Sequence, residues 1–203
     1  MAWKYAVSAG VLIAAVLGGL GYFILSDRGD ARFAHCRETA IAGAIGGEFS
    51  LVTHEGRPVT DADVIDRPSL IYFGYTFCPD VCPLDAARNA VVADILAQNG
   101  LDARPIFISV DPERDTPEVL SRFVGNLHER MIGLTGTPEQ VRAASQAYRT
   151  FYQKQDGDDE FYLVDHSTFS YLALPEHGVV EVYRRTQSPE EIAESVACFA
   201  AAS

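Results

Sequence analysis

The sequence predicts an α/β sandwich built on a partly parallel β-sheet. Two apolar runs rich in branched and aromatic residues, 68–75 and 104–110, have the pattern of strands buried on both faces. Segments with helical periodicity or helix-start signals follow each run. Strands that alternate with helices form a sheet with parallel neighbours and a covering of helices. We therefore expect one domain over residues 45–203.

The N-terminal segment has the composition of a membrane anchor. Residues 5–25 contain no charged side chain and are long enough to cross a bilayer as one helix. A cleaved signal peptide is the alternative, but its apolar core is shorter and ends at a small-x-small site, whereas Ser26 is followed here by charged residues. We expect residues 1–30 to form an uncleaved anchor with a short flank, and residues 31–44 to form a linker.

The first elements of the domain are a hairpin, a strand and a helix. Residues 46–60 alternate around a turn at 54–57, which predicts two antiparallel strands. The run 68–75 then predicts a central strand, and residues 83–98 predict a helix. The apolar residues at helical spacing, which we expect to face the core, are Leu84, Ala87, Val91 and Ile95.

Three later segments carry the same helix-start signal. Each begins with a hydroxyl residue, followed by proline and an acid, at Thr116, Thr137 and Ser188. This order gives an N-cap, a proline in the first turn and a negative charge near the positive end of the helix. Thr137 with Gln140, and Ser188 with Glu191, also complete a capping box. Three helices are therefore predicted.

The remaining apolar segments predict strands. A short strand is expected near 131–134, and a long β segment over 161–183 turns at 175–178. The predicted order is a hairpin, then β-α-β-α-β-α, then a second hairpin and a closing helix.

The charge balance excludes one class of partner. The formal net charge is −12. Residues 1–30 hold two positive side chains, Lys4 and Arg28, and two negative ones, Asp27 and Asp30, so the whole excess belongs to the rest of the chain. Because phosphate binding needs basic patches, nucleic acid is not expected as a partner.

Two cysteines mark a candidate site. Cys78 and Cys82 lie within residues 77–83 (FCPDVCP), where the central strand ends and a helix begins. Pro83 fits the first helical turn, so both sulfurs are expected to face one space near the helix N-terminus, where thiol pKa values are lowered. Dithiol redox motifs usually place two residues between the cysteines, and here there are three. The spacing leaves open a metal site, a redox pair and a structural bridge.

Two thiolates leave a metal incompletely coordinated, so the histidines are candidate ligands. Four lie in polar segments or turns and are expected to be solvated, namely His35, His54, His128 and His177. His166 belongs to a polar triplet, 165–167, inside an apolar β segment, where buried polar groups need partners. The pattern leaves it open between a metal ligand and a core histidine.

Three motifs together resemble the Sco/SenC/PrrC proteins. They are residues 77–83, residues 109–117 (SVDPERDTP) and residues 164–167 (VDHS), and the resemblance covers roughly residues 45–200. It implies a thioredoxin-like sandwich with an N-terminal β-hairpin and a β-hairpin insertion, preceded by one transmembrane helix. It also implies a function: such proteins deliver copper to, or prepare, the dinuclear copper centre of cytochrome c oxidase subunit II.

The resemblance also implies the ligands. In that family the two motif cysteines and the later histidine bind copper, which carries over onto Cys78, Cys82 and His166. Two thiolates and an imidazole suit Cu(I), and accept Cu(II) with an added weak ligand. Zinc binds such a set as well, so the choice of copper rests on the resemblance. Asp80 and Asp165 are candidates to tune or orient these ligands, with solvated carboxylates as the alternative.

Two further features are left with open roles. In the second motif, Arg114 is expected to pair with Asp111 or Asp115 and brace the loop, with direct contact to a partner as the alternative role of this segment. Cys36 and Cys198 fall outside the family pattern, and they are expected either to form a disulfide or to stay free.

The predicted protein is a copper metallochaperone of the bacterial inner membrane. It crosses once through residues 5–25 and exposes its domain to the periplasm, or to the intermembrane space in a mitochondrion. The expected partners are cytochrome c oxidase subunit II and other periplasmic copper carriers. The alternative is a thiol-disulfide oxidoreductase that uses Cys78 and Cys82 to reduce the cysteines of that subunit.

Overall fold

A computed structural model describes residues 18–19, 32–37, 45–157 and 161–203. The chain divides into two compact units, 1–35 and 36–203, and the second contains the α/β domain. The predicted anchor, 5–25, lies outside the described residues except for two glycines. Within the described ranges, no helix is both long enough and apolar enough to cross a membrane.

In the residues that the structure describes, the domain is built on a mixed seven-stranded sheet. Its strands in chain order are β1 (Ser50–Thr53), β2 (Pro58–Thr60), β3 (Ser69–Gly74), β4 (Arg104–Ser109), β5 (Ile132–Thr135), β8 (Ser170–Leu174) and β9 (Gly178–Tyr183). Their order across the sheet is β2-β1-β5-β4-β3-β8-β9. Strands β3, β4 and β5 are parallel, while β1 and β8 run antiparallel to their neighbours. The predicted hairpin and central parallel strands are therefore confirmed.

Five helices lie in the described part of this unit. They are α1 (Asp61–Val64), α2 (Val81–Gln98), α3 (Pro117–Leu127), α4 (Pro138–Ala147) and α5 (Pro189–Ala202). The three predicted helix starts are confirmed, because the side chains of Thr116, Thr137 and Ser188 each accept a backbone N–H of the first turn. Both predicted capping boxes are also present. Each such cap contributes about 1 kcal/mol to stability.

The predicted β segment 161–183 is wrong in one respect, because it is divided in two. Its first part is β7 (Val164–His166), which pairs with β6 (Tyr152–Lys154) in a separate two-stranded sheet. The chain leaves the main sheet because Ser167 bonds to Phe151 in both directions, through its backbone N–H and its side-chain oxygen. The register of β6 and β7 places Tyr152 opposite His166. Strand β6 was not predicted from the sequence.

The predicted core face of α2 is also wrong. Leu84 and Val91 are exposed, at 60% and 44%. The helix instead turns Cys82, Asp85 and Asn89 inward, and all three are buried. Polar side chains can occupy this face because they find partners there: the Asp85 carboxylate accepts a hydrogen bond from Tyr72, and the Asn89 side chain accepts one from Ser170.

A disulfide joins the start of this unit to its last helix. Cys36 and Cys198 are bonded, with their Cα atoms 5.7 Å apart and a sequence separation of 162. This pairing was one of two expected outcomes, because sequence does not show whether two Cα atoms come within bonding distance. The chain closed by the bond includes the whole sheet.

Candidate metal centre

The topology brings the two sequence motifs to one edge of the sheet. Strand β3 ends at Gly74, and the loop that follows carries Cys78 into the start of α2. Strand β8 runs antiparallel to β3, with Ser170 opposite Tyr72, so the residues just before β8 arrive at the same edge. His166 is one of these residues. Strand pairing thus brings together Cys82 and His166, which are 84 positions apart in the sequence.

The three side chains form one cluster. The Sγ atoms of Cys78 and Cys82 and one ring nitrogen of His166 all lie within 4.8 Å of one another. The Cys82 Sγ atom is 3.2 Å from His166 Nε2. Both cysteines are free thiols, and both are buried. Such a set of two sulfurs and one nitrogen fits a soft metal ion.

Cys78 also caps the helix that carries Cys82. The residue at the N-cap position, Asp80, makes no side-chain cap bond. The backbone N–H of Cys82 donates instead to the Cys78 sulfur over 3.4 Å. This bond satisfies one of the N–H groups that a helix start leaves free. The prediction that both sulfurs face one space near the helix N-terminus is confirmed.

A backbone carbonyl fixes the orientation of the His166 ring. Because a carbonyl oxygen only accepts, His166 Nδ1 donates to the Ser167 oxygen, 2.9 Å away. Burial lowers the pKa of His166, which favours the neutral ring. The neutral ring then turns the lone pair of Nε2 towards Cys82. The candidate Asp165 is exposed and accepts from Gln155 instead.

The prediction of a lowered thiol pKa is wrong for Cys82. Its side chain is fully buried, and burial raises the pKa of the thiol well above its usual value. A hydrogen bond from the Tyr75 backbone opposes this effect only in part. Desolvation of the thiolate therefore outweighs the helix terminus, and the metal-free protein holds this sulfur as a thiol at neutral pH. Metal binding must displace its proton.

Gly74 makes room for the Cys82 sulfur. A Cβ atom at this position would lie 2.8 Å from the Tyr72 ring, 3.0 Å from the Cys82 Sγ and 3.1 Å from the Phe107 ring. These neighbours are buried, so none can move away without disturbing the core. The position of the Cys82 sulfur in the cluster therefore requires a residue without a side chain at position 74.

We expect Gly74→Ala to lower the free energy of unfolding by about 1–3 kcal/mol, because the added methyl group overpacks this position. The matched control is Gly125→Ala in α3, where an added Cβ meets nothing within 4 Å. That change is expected to stabilise the helix by about 0.5–1 kcal/mol. Urea unfolding of both variants measures the difference. Equal unfolding free energies would contradict the steric argument.

The second motif braces the cysteine loop. Asp115 is buried and accepts hydrogen bonds from the backbone and side chain of Thr76 and from Ser109. Arg114 pairs with Asp111, which confirms the expected brace. The Arg114 guanidinium also lies 3.5 Å from the centre of the Tyr162 ring. The motif therefore links the cysteine loop to the segment that leads to His166.

The other four histidines differ in exposure. His35 and His177 are exposed, as predicted. His54 is half-buried, and its Nδ1 accepts from the backbone of Gly133. The prediction is wrong for His128, whose side chain is only 9% exposed and bonds to Asp94. The residues beside His128 in the sequence are polar, but charged side chains at the surface cover its ring.

Sequence reasoning missed two residues behind the ligands, Tyr72 and Asp85. The available signal was helical spacing: a residue three positions after Cys82 lies on the same face of α2. Because the Cys82 side chain is buried on this face of α2, the Asp85 side chain is buried there as well.

The fold and the cluster together define a thioredoxin-like domain with two cysteines and one histidine at its sheet edge that could hold a metal ion. The chain belongs to the SCO1/SenC family, whose sequence model matches residues 37–201. It is 49% identical over 196 residues to Protein SenC of Rhodobacter capsulatus, covering 96% of this chain and 89% of that protein. It is 39% identical over 189 residues to the human mitochondrial SCO2 homolog, covering 91% and 71%.

Solved structures agree with this assignment. The crystal structure of Arabidopsis thaliana ScoI with copper bound matches with a TM-score of 0.73 and 39% identity, covering 77% of this chain and 98% of that one. The structure of Bradyrhizobium japonicum ScoI with copper bound matches with a TM-score of 0.69 and 34% identity, covering 76% and 98%.

Proposed function

We propose that this chain is a membrane-anchored copper metallochaperone. It holds copper through Cys78, Cys82 and His166, and it delivers the metal to, or prepares, the dinuclear copper centre of cytochrome c oxidase subunit II. Copper is the cargo in this proposal, and no substrate is converted. The choice of subunit II as partner is supported by the three sequence motifs that the chain shares with the Sco/SenC/PrrC proteins.

One observation carries the proposal, namely the meeting of three soft or borderline donor atoms within 4.8 Å. Two thiolates and a neutral imidazole favour Cu(I). Zinc fits the same donors by type, and the copper-bound structures of two relatives support copper here. His166 is the decisive residue, because dithiol chemistry does not need its Nε2 atom beside the Cys82 sulfur.

The proposed location is the bacterial inner membrane, with the domain in the periplasm or, in a mitochondrion, in the intermembrane space. The Cys36–Cys198 disulfide supports an oxidising compartment, since the cytosol keeps most thiols reduced. The apolar stretch 5–25 supports a single-pass anchor, and relatives occur in bacteria and in mitochondria.

A second function, dithiol reduction of the same subunit, is favoured by the two free thiols of the cluster. Cys78 is the more exposed of the two, so its thiolate would attack a disulfide of the partner and release one partner thiol. Cys82 would then attack Cys78 of the mixed disulfide. The partner leaves as a dithiol, and the chain keeps a Cys78–Cys82 disulfide.

The test is the stoichiometry and affinity of Cu(I) binding to the full chain in detergent, by competition with a chromophoric chelator. We expect one copper per chain, and a loss of affinity of roughly a hundredfold or more for Cys78→Ser or Cys82→Ser. The matched control replaces Cys36 and Cys198 by Ser, which removes two cysteines outside the cluster and should leave the affinity within a few fold of wild type. A Cu(I) affinity that falls when Cys36 and Cys198 are replaced, but not when Cys78 or Cys82 is replaced, would contradict the proposal.

A further inference from the structure

Three large apolar residues next to the cluster are exposed to solvent. Phe77 directly precedes Cys78 in the chain and is 46% exposed. Phe161 and Leu163 lie in the segment that leads to His166, and they are 65% and 42% exposed. The rings of Phe77 and Phe161 are neighbours, with centroids 6.2 Å apart. We call Phe77, Phe161 and Leu163 the apolar patch, because exposed apolar residues that adjoin one another mark interaction sites, whereas scattered ones do not.

The backbone directs two members of the patch to the same side of the chain. From residue 161 to residue 164, exposed and buried residues alternate, which is the period of an extended segment. Tyr162 and Val164 are buried, so Phe161 and Leu163 both face solvent. The Tyr162 hydroxyl group donates to an Asp111 oxygen over 2.6 Å, which fixes the inward side. The fold therefore covers one side of this segment and leaves its apolar outer side uncovered.

Arg114 supports the patch from within the domain. Its guanidinium lies 4.7 Å from the centre of the Phe77 ring and donates to the Tyr162 carbonyl oxygen over 3.0 Å. The Arg114 side chain is only 18% exposed, so it stands behind the patch and is not part of its surface. A surface whose side chains are already held in place loses little conformational entropy when a partner covers it.

The charged residues next to the patch in sequence are mainly acidic. Asp80 and Asp165 flank the cluster, and both are exposed. Residues 155–160 (QDGDDE), which come directly before the patch segment, contain four acids. The neighbouring cation, Lys154, forms an ion pair with Glu113. A partner with lysine or arginine around an apolar centre would complement this face.

Access to the ligands leads past the patch. Cys82 is fully buried, whereas Cys78 is 9% exposed and His166 is half-buried. An incoming ligand atom therefore approaches a bound copper ion from the side of Cys78 and His166. A protein that takes copper directly must bring its own ligands within bonding distance of the ion, so it covers the residues that adjoin this side.

We propose that the apolar patch is the docking surface for the protein that accepts copper from this chain, and that this acceptor presents apolar side chains around its copper ligands with lysine or arginine at the rim. The inference rests on the proposed function, since it names the surface that the partner of that site binds. Charge disfavours two other occupants. A second copy of the chain brings the same acids to the contact, and anionic lipids are repelled in the same way.

Docking serves a ligand exchange in which copper stays as Cu(I). A thiol of the acceptor releases its proton and bonds to the copper ion, while the bond from one cysteine of this chain breaks. The vacated cysteine takes up the proton, so no electron moves and the charge balances. The contact at the patch holds the two sets of ligands together while the bonds exchange.

The first test measures Cu(I) transfer from the loaded full chain, in lipid nanodiscs, to the metal-free soluble copper domain of subunit II. The double variant Phe161→Ala, Leu163→Ala should raise the half-saturating concentration of this domain by about tenfold or more, because large apolar anchors dominate such contacts. Transfer to a small chelator needs no docking and should be unchanged. Val91→Ala is the matched control, because Val91 is 44% exposed on α2 and lies outside the patch.

The second test concerns the charge of the partner. The rate of transfer to the same domain should fall by about threefold or more when salt is raised from about 0.02 M to about 0.2 M, because salt screens attraction between unlike charges. A rate that is constant or rises with salt would mean that the acceptor has no basic rim, and this overturns the proposed complementarity.

Hydrogen exchange on the wild-type chain in nanodiscs tests the surface without any substitution. The backbone amides of residues 161–163 should gain protection when the metal-free copper domain is added. Protection that instead grows with the concentration of the chain alone would assign the patch to a second copy. Protection that is present in nanodiscs and absent in detergent, before the domain is added, would assign it to lipid. Either result overturns the inference.

The outcomes separate this inference from the proposed function. If wild type does not bind Cu(I), or does not transfer it to the copper domain, the proposed function and the inference both fail. If wild type transfers copper and the double variant has the same half-saturating concentration, the inference alone fails. Circular dichroism checks that the double variant is folded. Should it not fold, an absence of new protection at residues 161–163 in wild type overturns the inference.

Discussion

Replacement of His166 by alanine is expected to weaken Cu(I) binding by roughly a hundredfold or more, since even residues that only support a ligand cost ten- to a hundredfold when lost. The change removes the Nε2 atom that lies 3.2 Å from the Cys82 sulfur and leaves two thiolates as the whole donor set. Competition with a chromophoric chelator, on the full chain in detergent, gives the affinity. His177→Ala is the matched control, because that histidine is exposed in a turn between β8 and β9.

The same variant decides between the two functions. A dithiol reductase uses Cys78 and Cys82, and His166→Ala should leave its exchange rate with a model disulfide within a few fold of wild type. If the protein is a metallochaperone, His166→Ala should instead lose most of its Cu(I) affinity. If Cu(I) affinity is indifferent to His166 while disulfide exchange is rapid, the metallochaperone proposal is wrong and the reductase takes its place.

Local signals in the sequence predicted most of the fold. The caps at Thr116, Thr137 and Ser188 placed three helix starts correctly, because a cap depends only on residues within one turn. The apolar runs at β3 and β4 placed the parallel strands for a similar reason, since a strand buried on both faces needs few polar residues. Each of these signals is complete within a short window.

The errors arose where distant partners decide the structure. Leu84 and Val91 follow the helical period as well as the true core residues do, and only the packing around Cys82 shows which face is inward. Strand β6 forms because it meets β7, and its own residues, Tyr152–Lys154, give little apolar signal. The raised pKa of Cys82 depends likewise on burial, which no local motif reveals.

The candidate site was partly predictable for a related reason. Cys78 and Cys82 are four positions apart at the start of one helix, so their approach follows from the local sequence. On pattern alone His166 stayed open between two roles, and the resemblance to a family supplied the choice. The strand register that brings it to the sheet edge, with Ser170 opposite Tyr72, was visible only in the structure. Tyr72 and Asp85 meet because α2, which follows β3, packs back against that strand.

Removal of the Cys36–Cys198 disulfide is expected to lower the free energy of unfolding by about 2–5 kcal/mol. The bond joins residues separated by 162 positions, so reduction returns a large conformational entropy to the unfolded chain, and long loops give the largest effects of this kind. For a domain of this size, a change of this magnitude lowers the melting temperature by roughly 5–15 °C.

The measurement is thermal unfolding of the double variant Cys36→Ser, Cys198→Ser without reductant, beside wild type with and without reductant. Reduced wild type should match the double variant, whereas Cys78→Ser, Cys82→Ser should respond to reductant as wild type does. The double variant should still bind one Cu(I), because the cluster lies at the carboxyl end of β3 and contains neither residue. An unchanged melting temperature would show that the ends of this unit are already held by packing, and that the bond adds no stability to the fold that carries the metal centre.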